Sequence, residues 1–182
     1  MDYHDREDHP LNGDVPNDWR QAVAAALSRA TRIAVCGIGN DLRGDDAAGL
    51  LCLRQLETNP PENFPRVSGD RPAIFIEGGE TPENQTGRMR KFQPDLVLLI
   101  DAARGGRRPG EIFIVEKEKF SDEDVSTHRT SLSLLVRYIE ESVGALVVFL
   151  GIEPVSTEIN GPVSDAVRTS VSILADHIRR YL

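Results

Sequence analysis

The run Ile33-Ala34-Val35-Cys36-Gly37-Ile38-Gly39-Asn40-Asp41-Leu42-Arg43-Gly44-Asp45-Asp46-Ala47-Ala48-Gly49 decides how this chain is read. It opens as a short apolar strand, Ile33 to Cys36, and leaves that strand through Gly37 and Gly39. Glycine tolerates positive φ and close backbone approach, so this pair suits a tight exit. Asp45 and Asp46 then fall at a helix start, where carboxylates complement the dipole and cap free N–H groups. In an open α/β sheet such an exit lies at the carboxyl end of a strand, where ligands usually bind. The Gly-x-Gly spacing also invites a dinucleotide reading, but that fingerprint needs a third glycine three residues on, where this chain has Leu42. Two acids would repel a pyrophosphate, so the dinucleotide reading is weak.

Strand and helix patterns alternate on either side of this run. Trp19, Val23, Leu27 and Ala30 recur on one helical face, with Asn17 or Asp18 as the cap. Asp45 to Glu57 reads as a deeply buried helix ended by Asn59-Pro60-Pro61, and a loop runs from there through Pro72. Ala73 to Glu77 is a strand closed by Gly78-Gly79, and Pro82 opens a short helix reaching Phe92. Asp95 to Asp101 is the most hydrophobic run, as expected of a central parallel strand buried on both faces. A basic, glycine-rich loop, Arg104 to Gly110, leads to a strand at Glu111 to Val115. Ser126-Thr127-His128 precedes a helix carrying Leu132, Leu135, Val136, Ile139 and Val143. Leu146 to Ile152 is a last buried strand, and Val163, Val167, Val171, Leu174, Ile178 and Tyr181 mark the closing helix. The pattern predicts a single three-layer α/β/α domain with a mostly parallel central sheet.

Charge divides the chain unevenly. Of the formal −8, residues 1–18 contribute six acids (Asp2, Asp5, Glu7, Asp8, Asp14, Asp18) against Arg6 alone. With Pro10, Gly13 and Pro16 among them, they read as an acidic flexible tail on a domain spanning 19–182, and His4 and His9 as solvated residues within it. No basic stripe supports nucleic-acid binding. No apolar run approaches the ~18 residues of a membrane span, and no signal-peptide pattern opens the chain. Cys36 and Cys52 lie in apolar surroundings far from any C-x-x-C spacing, so buried reduced thiols and a cytoplasmic location are expected.

Three polar residues gather at the carboxyl ends if the sheet is mainly parallel there. Asp46 follows the first strand, Asp101 ends a central one, and His128 opens a helix after the next crossover. Two carboxylates and an imidazole form a half-open shell for a borderline divalent metal such as zinc or nickel. Each also has a plainer reading: Asp46 as a helix cap, Asp101 as a cap for the next helix, His128 as a surface residue. No nucleophile competes well. Ser126 and Thr127 adjoin His128 only in sequence, no G-x-S-x-G elbow exists, and Cys36 sits inside a strand. His177, beside charged residues in the last helix, reads as exposed surface.

Five segments in unbroken order resemble the hydrogenase maturation endopeptidases, which remove the C-terminal extension of the nickel–iron hydrogenase large-subunit precursor. They are Gly37 to Gly49, Gly78 to Asn84, Leu99 to Ala102 followed by Pro109 to Ile112, Ser126 to His128, and Phe149 to Pro154. The Gly78 and Phe149 segments are closest to the hydrogenase-3-type branch. The resemblance runs from about Arg32 to the C-terminus and leaves the segment before it unexplained. Ala47 stands where many members have glycine. The resemblance implies an α/β/α protease whose metal-contacting residues match Asp46, Asp101 and His128. It also implies that the nickel belongs to the precursor rather than to the free protein, and a monomer is expected. Glu80, Asp45 and Asp41 are the candidate general bases. A peptidase with its own zinc, or a nickel-site chaperone that does not cut, would share the same three residues.

Overall fold

The computed structural model describes residues 18–58, 71–116 and 129–182. The expected tail, apart from Asp18, lies outside the described residues, as do residues 59–70 of the Pro-rich loop and His128.

The elements in chain order are α1 (Trp19–Arg29), β1 (Ile33–Ile38), α2 (Ala48–Glu57), β2 (Ala73–Gly79), α3 (Thr86–Phe92), β3 (Leu96–Ala102), β4 (Ile112–Ile114), α4 (Arg129–Tyr138), β5 (Leu146–Ile152) and α5 (Asp165–Arg179). Single 3₁₀ turns, Gly44–Ala47 and Pro82–Gln85, lead into α2 and α3. A wider turn, Ile139–Val143, extends α4 and stops at Gly144 in the left-handed conformation.

The sheet has the strand order β2-β1-β3-β5-β4. Neighbours are parallel except the edge strand β4, which runs antiparallel to β5. Every residue of β1, and Leu96 to Asp101 of β3, is buried. That follows from their continuous apolar sequence, because a central parallel strand is covered on both faces.

Alternation along the strands divides the core. Ile33, Val35, Leu96, Leu98 and Ile100 face a layer built from α1, α2 and α5 through Val23, Leu27, Cys52, Leu53, Val171, Leu174 and Ile178. Ala34, Cys36, Val97 and Leu99 face the other layer, where Met89 of α3 and Leu132, Leu135 and Val136 of α4 pack. These are the three layers expected. Asp101 shares the parity of Val97 and Leu99, so it belongs to the α3–α4 side, one step beyond the apolar layer.

Caps and turns fix the ends. Asp18, of the two candidates, caps α1 by accepting from the Arg20 N–H at 3.0 Å. Ser164 caps α5, accepting from the Val167 N–H at 3.3 Å. The Asp95 carboxylate accepts from the N–H groups of Thr31 and Arg32, locking the α1–β1 turn to the start of β3.

One surface assignment is corrected. His177 is half-buried, not exposed: its Nε2 lies 3.0 Å from the Arg20 carbonyl oxygen, and its ring packs edge-on to Trp19 and against Tyr181. Burial, the largest cause, draws its pKa below the ordinary histidine value. Its function is to join α5 to α1. Among the described residues no helix is long and apolar enough to cross a membrane.

Candidate active site at the carboxyl ends of the strands

The site begins with a close backbone crossing. Gly37 and Gly49 meet where α2 enters over the sheet: a Cβ on Gly37 would stand 2.4 Å from the Gly49 oxygen. A Cβ on Gly49 would stand 2.1 Å from the Ile100 oxygen. Only glycine at these positions lets α2 start directly above β1 and β3. The helix entry, and the acids in the 3₁₀ turn before it, are thereby set against the end of β3.

Asp46, in the turn before α2, and Asp101, at the end of β3, both lie at this rim. Asp101 is buried, at 3% exposure, and pairs in register with Gly151 of β5. Its carboxyl pKa is pushed up to about 8, first by burial and then by the negative charge of Asp46, against a smaller lowering from the Ala102 N–H. Asp46 is half-buried, and its N–H donates to the Arg43 oxygen at 3.1 Å. The two sequence-predicted carboxylates are therefore electrostatic neighbours. Among the described residues, no group of three or more His, Cys, Asp and Glu side chains could hold a metal ion. His128, the third expected member, lies outside those residues.

The adjacent acid has a different task. Asp45 is buried, and its carboxylate accepts from the N–H groups of Val155 at 2.7 Å, Ser156 at 3.3 Å and Ser164 at 2.6 Å, and from the Ser164 hydroxyl at 3.0 Å. Its own N–H donates to the Ser156 oxygen at 3.0 Å. A carboxylate with so many donors holds the β5–α5 loop in place and is not available as a general base. Asp41 is engaged too, in a two-pronged pair with Arg54 at 2.8 and 2.7 Å, and Arg54 also bonds Glu77. Glu80 is exposed at the end of β2 and remains open to that role.

Glu153 is a rim residue that sequence reasoning did not single out. It is buried, and its carboxylate accepts from the N–H groups of Gly105 at 2.7 Å and Arg107 at 3.1 Å. The basic β3–β4 loop is thus fastened to the end of β5. An acid directly after a buried strand and before Pro154 was the signal that could have marked it.

The cysteines are inert. Burial, with the nearby Asp101 charge adding to it and Arg88 opposing, pushes the Cys36 thiol up to about 12. Burial does the same to Cys52, to about 12, with Arg179 opposing. Neither is a nucleophile near neutral pH.

Comparison with known proteins places the chain in a family. The family model described as "HycI: Hydrogenase maturation protease" matches residues 64–180. The chain is 33% identical over 147 residues to the hydrogenase 3 maturation protease of Escherichia coli K12, covering 76% of this chain and 85% of that protein. It is 28% identical over 153 residues to a putative hydrogenase maturation protease of Methanocaldococcus jannaschii, covering 83% and 88%. Among solved structures, the [NiFe] hydrogenase maturation protease HycI of Thermococcus kodakarensis superposes with a TM-score of 0.73 at 35% identity, covering 87% of this chain and 96% of that one. The chain belongs to the hydrogenase maturation protease family.

Proposed function

We propose that this protease removes the C-terminal extension of a nickel-loaded nickel–iron hydrogenase large-subunit precursor of the hydrogenase-3 type, using Asp46, Asp101 and His128. The observation that carries the assignment is the buried Asp101 at the end of β3, on which the charge of Asp46 in the turn before α2 bears. Two carboxylates in that setting are costly unless a proton or a cation neutralises them. The precursor's nickel, which is cargo of the substrate, supplies the cation. Imidazole and carboxylate both suit nickel, and three ligands leave coordination positions for the groups that hold the ion in the precursor.

In this reading the three side chains grip the ion and so bring the scissile peptide to a fixed place beside Asp46. Positioning of this kind accounts for a large part of many enzymatic accelerations. Hydrolysis then adds hydroxide to the carbonyl carbon and a proton to the departing amine. With Asp41 and Asp45 committed to other partners, the water proton falls to a site carboxylate or to Glu80. The protein works in this scheme as a cytoplasmic monomer, a location supported by two buried, unpaired thiols.

The test is incubation of the purified chain with nickel-loaded precursor, followed by intact-mass measurement. Loss of the C-terminal peptide supports the reading, and its loss should disappear in Asp46→Asn, Asp101→Asn and His128→Ala. Tight precursor binding with no mass change would make the chain a nickel-site chaperone. Stoichiometric zinc in an active enzyme that ignores nickel would make it a general metallopeptidase.

A further inference from the structure

Three of the exposed large apolar side chains among the described residues sit on the loop that leads into Asp46 and on the β5–α5 loop bonded to it. They are Leu42 at 65% exposure, Val155 at 54% and Ile159 at 69%. The remaining ones among the described residues, Leu134 and Ile173, lie on helices α4 and α5. The loops carrying the first three are built stiffly. The Asn160 N–H donates to the Leu42 oxygen at 2.6 Å, with Asn160 itself at φ +59°. The Val155 N–H donates to the Asp45 carboxylate, and a Cβ on Gly44 would stand 3.0 Å from the Ser156 oxygen. Apolar side chains held out on so fixed a frame are not the by-product of a loose loop. A frame of this kind is pre-organised, so little ordering cost falls on binding.

We propose that Leu42, Val155 and Ile159 form the apolar docking rim for the precursor polypeptide, which lays apolar side chains of its own across the two loops next to Asp46. The inference rests on the proteolytic reading above. Its occupant follows from position: Leu42 lies four residues before Asp46 in the same loop, and Val155 is bonded to the carboxylate of the residue beside it. A chain that delivers a peptide bond to Asp46 passes beside the loop that carries both Leu42 and Asp46, and the β5–α5 loop is bonded to it. Apolar contacts ringed by polar groups are the usual anchors of such protein–protein contacts.

The experiment compares the wild-type chain with the triple variant Leu42→Ser, Val155→Ser, Ile159→Ser, and with a control, Leu134→Ser, Ile173→Ser. Cleavage kinetics, direct binding of nickel-loaded precursor, thermal melting and sedimentation are measured on each. The expected result is a rise in both KM and Kd of at least ~10-fold in the triple variant, with kcat and Tm nearly unchanged and no effect in the control. Unchanged KM and Kd would overturn the proposal. So would a wild-type dimer that the triple variant dissociates, since a second copy would then own the patch. If the wild type binds precursor but never cuts it, and the triple variant still loses binding, the rim stands and the proteolytic reading falls.

Discussion

The main-chain oxygen of Asp46 lies 1.8 Å from where a Cβ on Gly39 would stand, and Gly39 adopts φ +131°. Asp46 is therefore held over the end of β1 by a crossing that admits no side chain. Gly39→Ala must move one backbone or the other. Strain of about 1–3 kcal/mol is expected in urea unfolding. Cleavage should fall further than stability, by ~100-fold, because a displacement of about 1 Å at a catalytic group has that effect. Full activity in Gly39→Ala would show that the position of Asp46 is not fixed by this contact.

Asp101 should trade stability for activity. A carboxyl group whose folded pKa lies above its unfolded value binds more protons when folded, so it costs stability as pH rises. For Asp101 the cost starts near the unfolded value of about 3.9. It grows until about pH 8, where the folded group has ionised. Asp101→Asn removes this titration. In the metal-free protein the variant should melt about 5 °C higher at pH 8 and show no gain near pH 4. Its cleavage rate should drop by at least ~100-fold. A variant that melts lower at pH 8 would contradict the burial argument.

Adjacent acids should separate in a mutant pair. Asp45→Ala strands the donors at Val155, Ser156 and Ser164, and should cost about 3 kcal/mol or more by urea titration. Asp46→Asn alters a half-buried group, should cost under about 1 kcal/mol, and should abolish cleavage. Equal stability losses in the two variants would contradict the division of labour.

The thiols offer a check on the core. With both raised to about 12 by burial, Cys36 and Cys52 should be silent to a disulfide reagent at pH 8 in the native protein. Both should react in denaturant. Fast labelling of the native protein would mean that β1 or α2 opens.

What the sequence disclosed follows the range of each interaction. The alternation of elements, the double-sided burial of Leu96–Ile100 and the strand-end places of Asp46 and Asp101 are local patterns, readable from spacing. The functions of Asp45, Glu153 and His177 are not local. Asp45 finds its donors 110 and 119 residues away, and His177 finds Arg20 at a separation of 157. No periodicity reports such partners. The direction of β4 was equally hidden, because Glu111 to Val115 reads the same as a parallel or an antiparallel edge strand.

Nickel recognition is tested most directly by one paired cleavage measurement. Purified chain is mixed with nickel-loaded precursor and, separately, with metal-free precursor, and the C-terminal peptide is quantified by mass spectrometry. The account predicts release from the loaded form alone, with His128→Ala unable to process it. Equal release from both forms by the wild-type chain would contradict it, even with proteolysis itself in evidence.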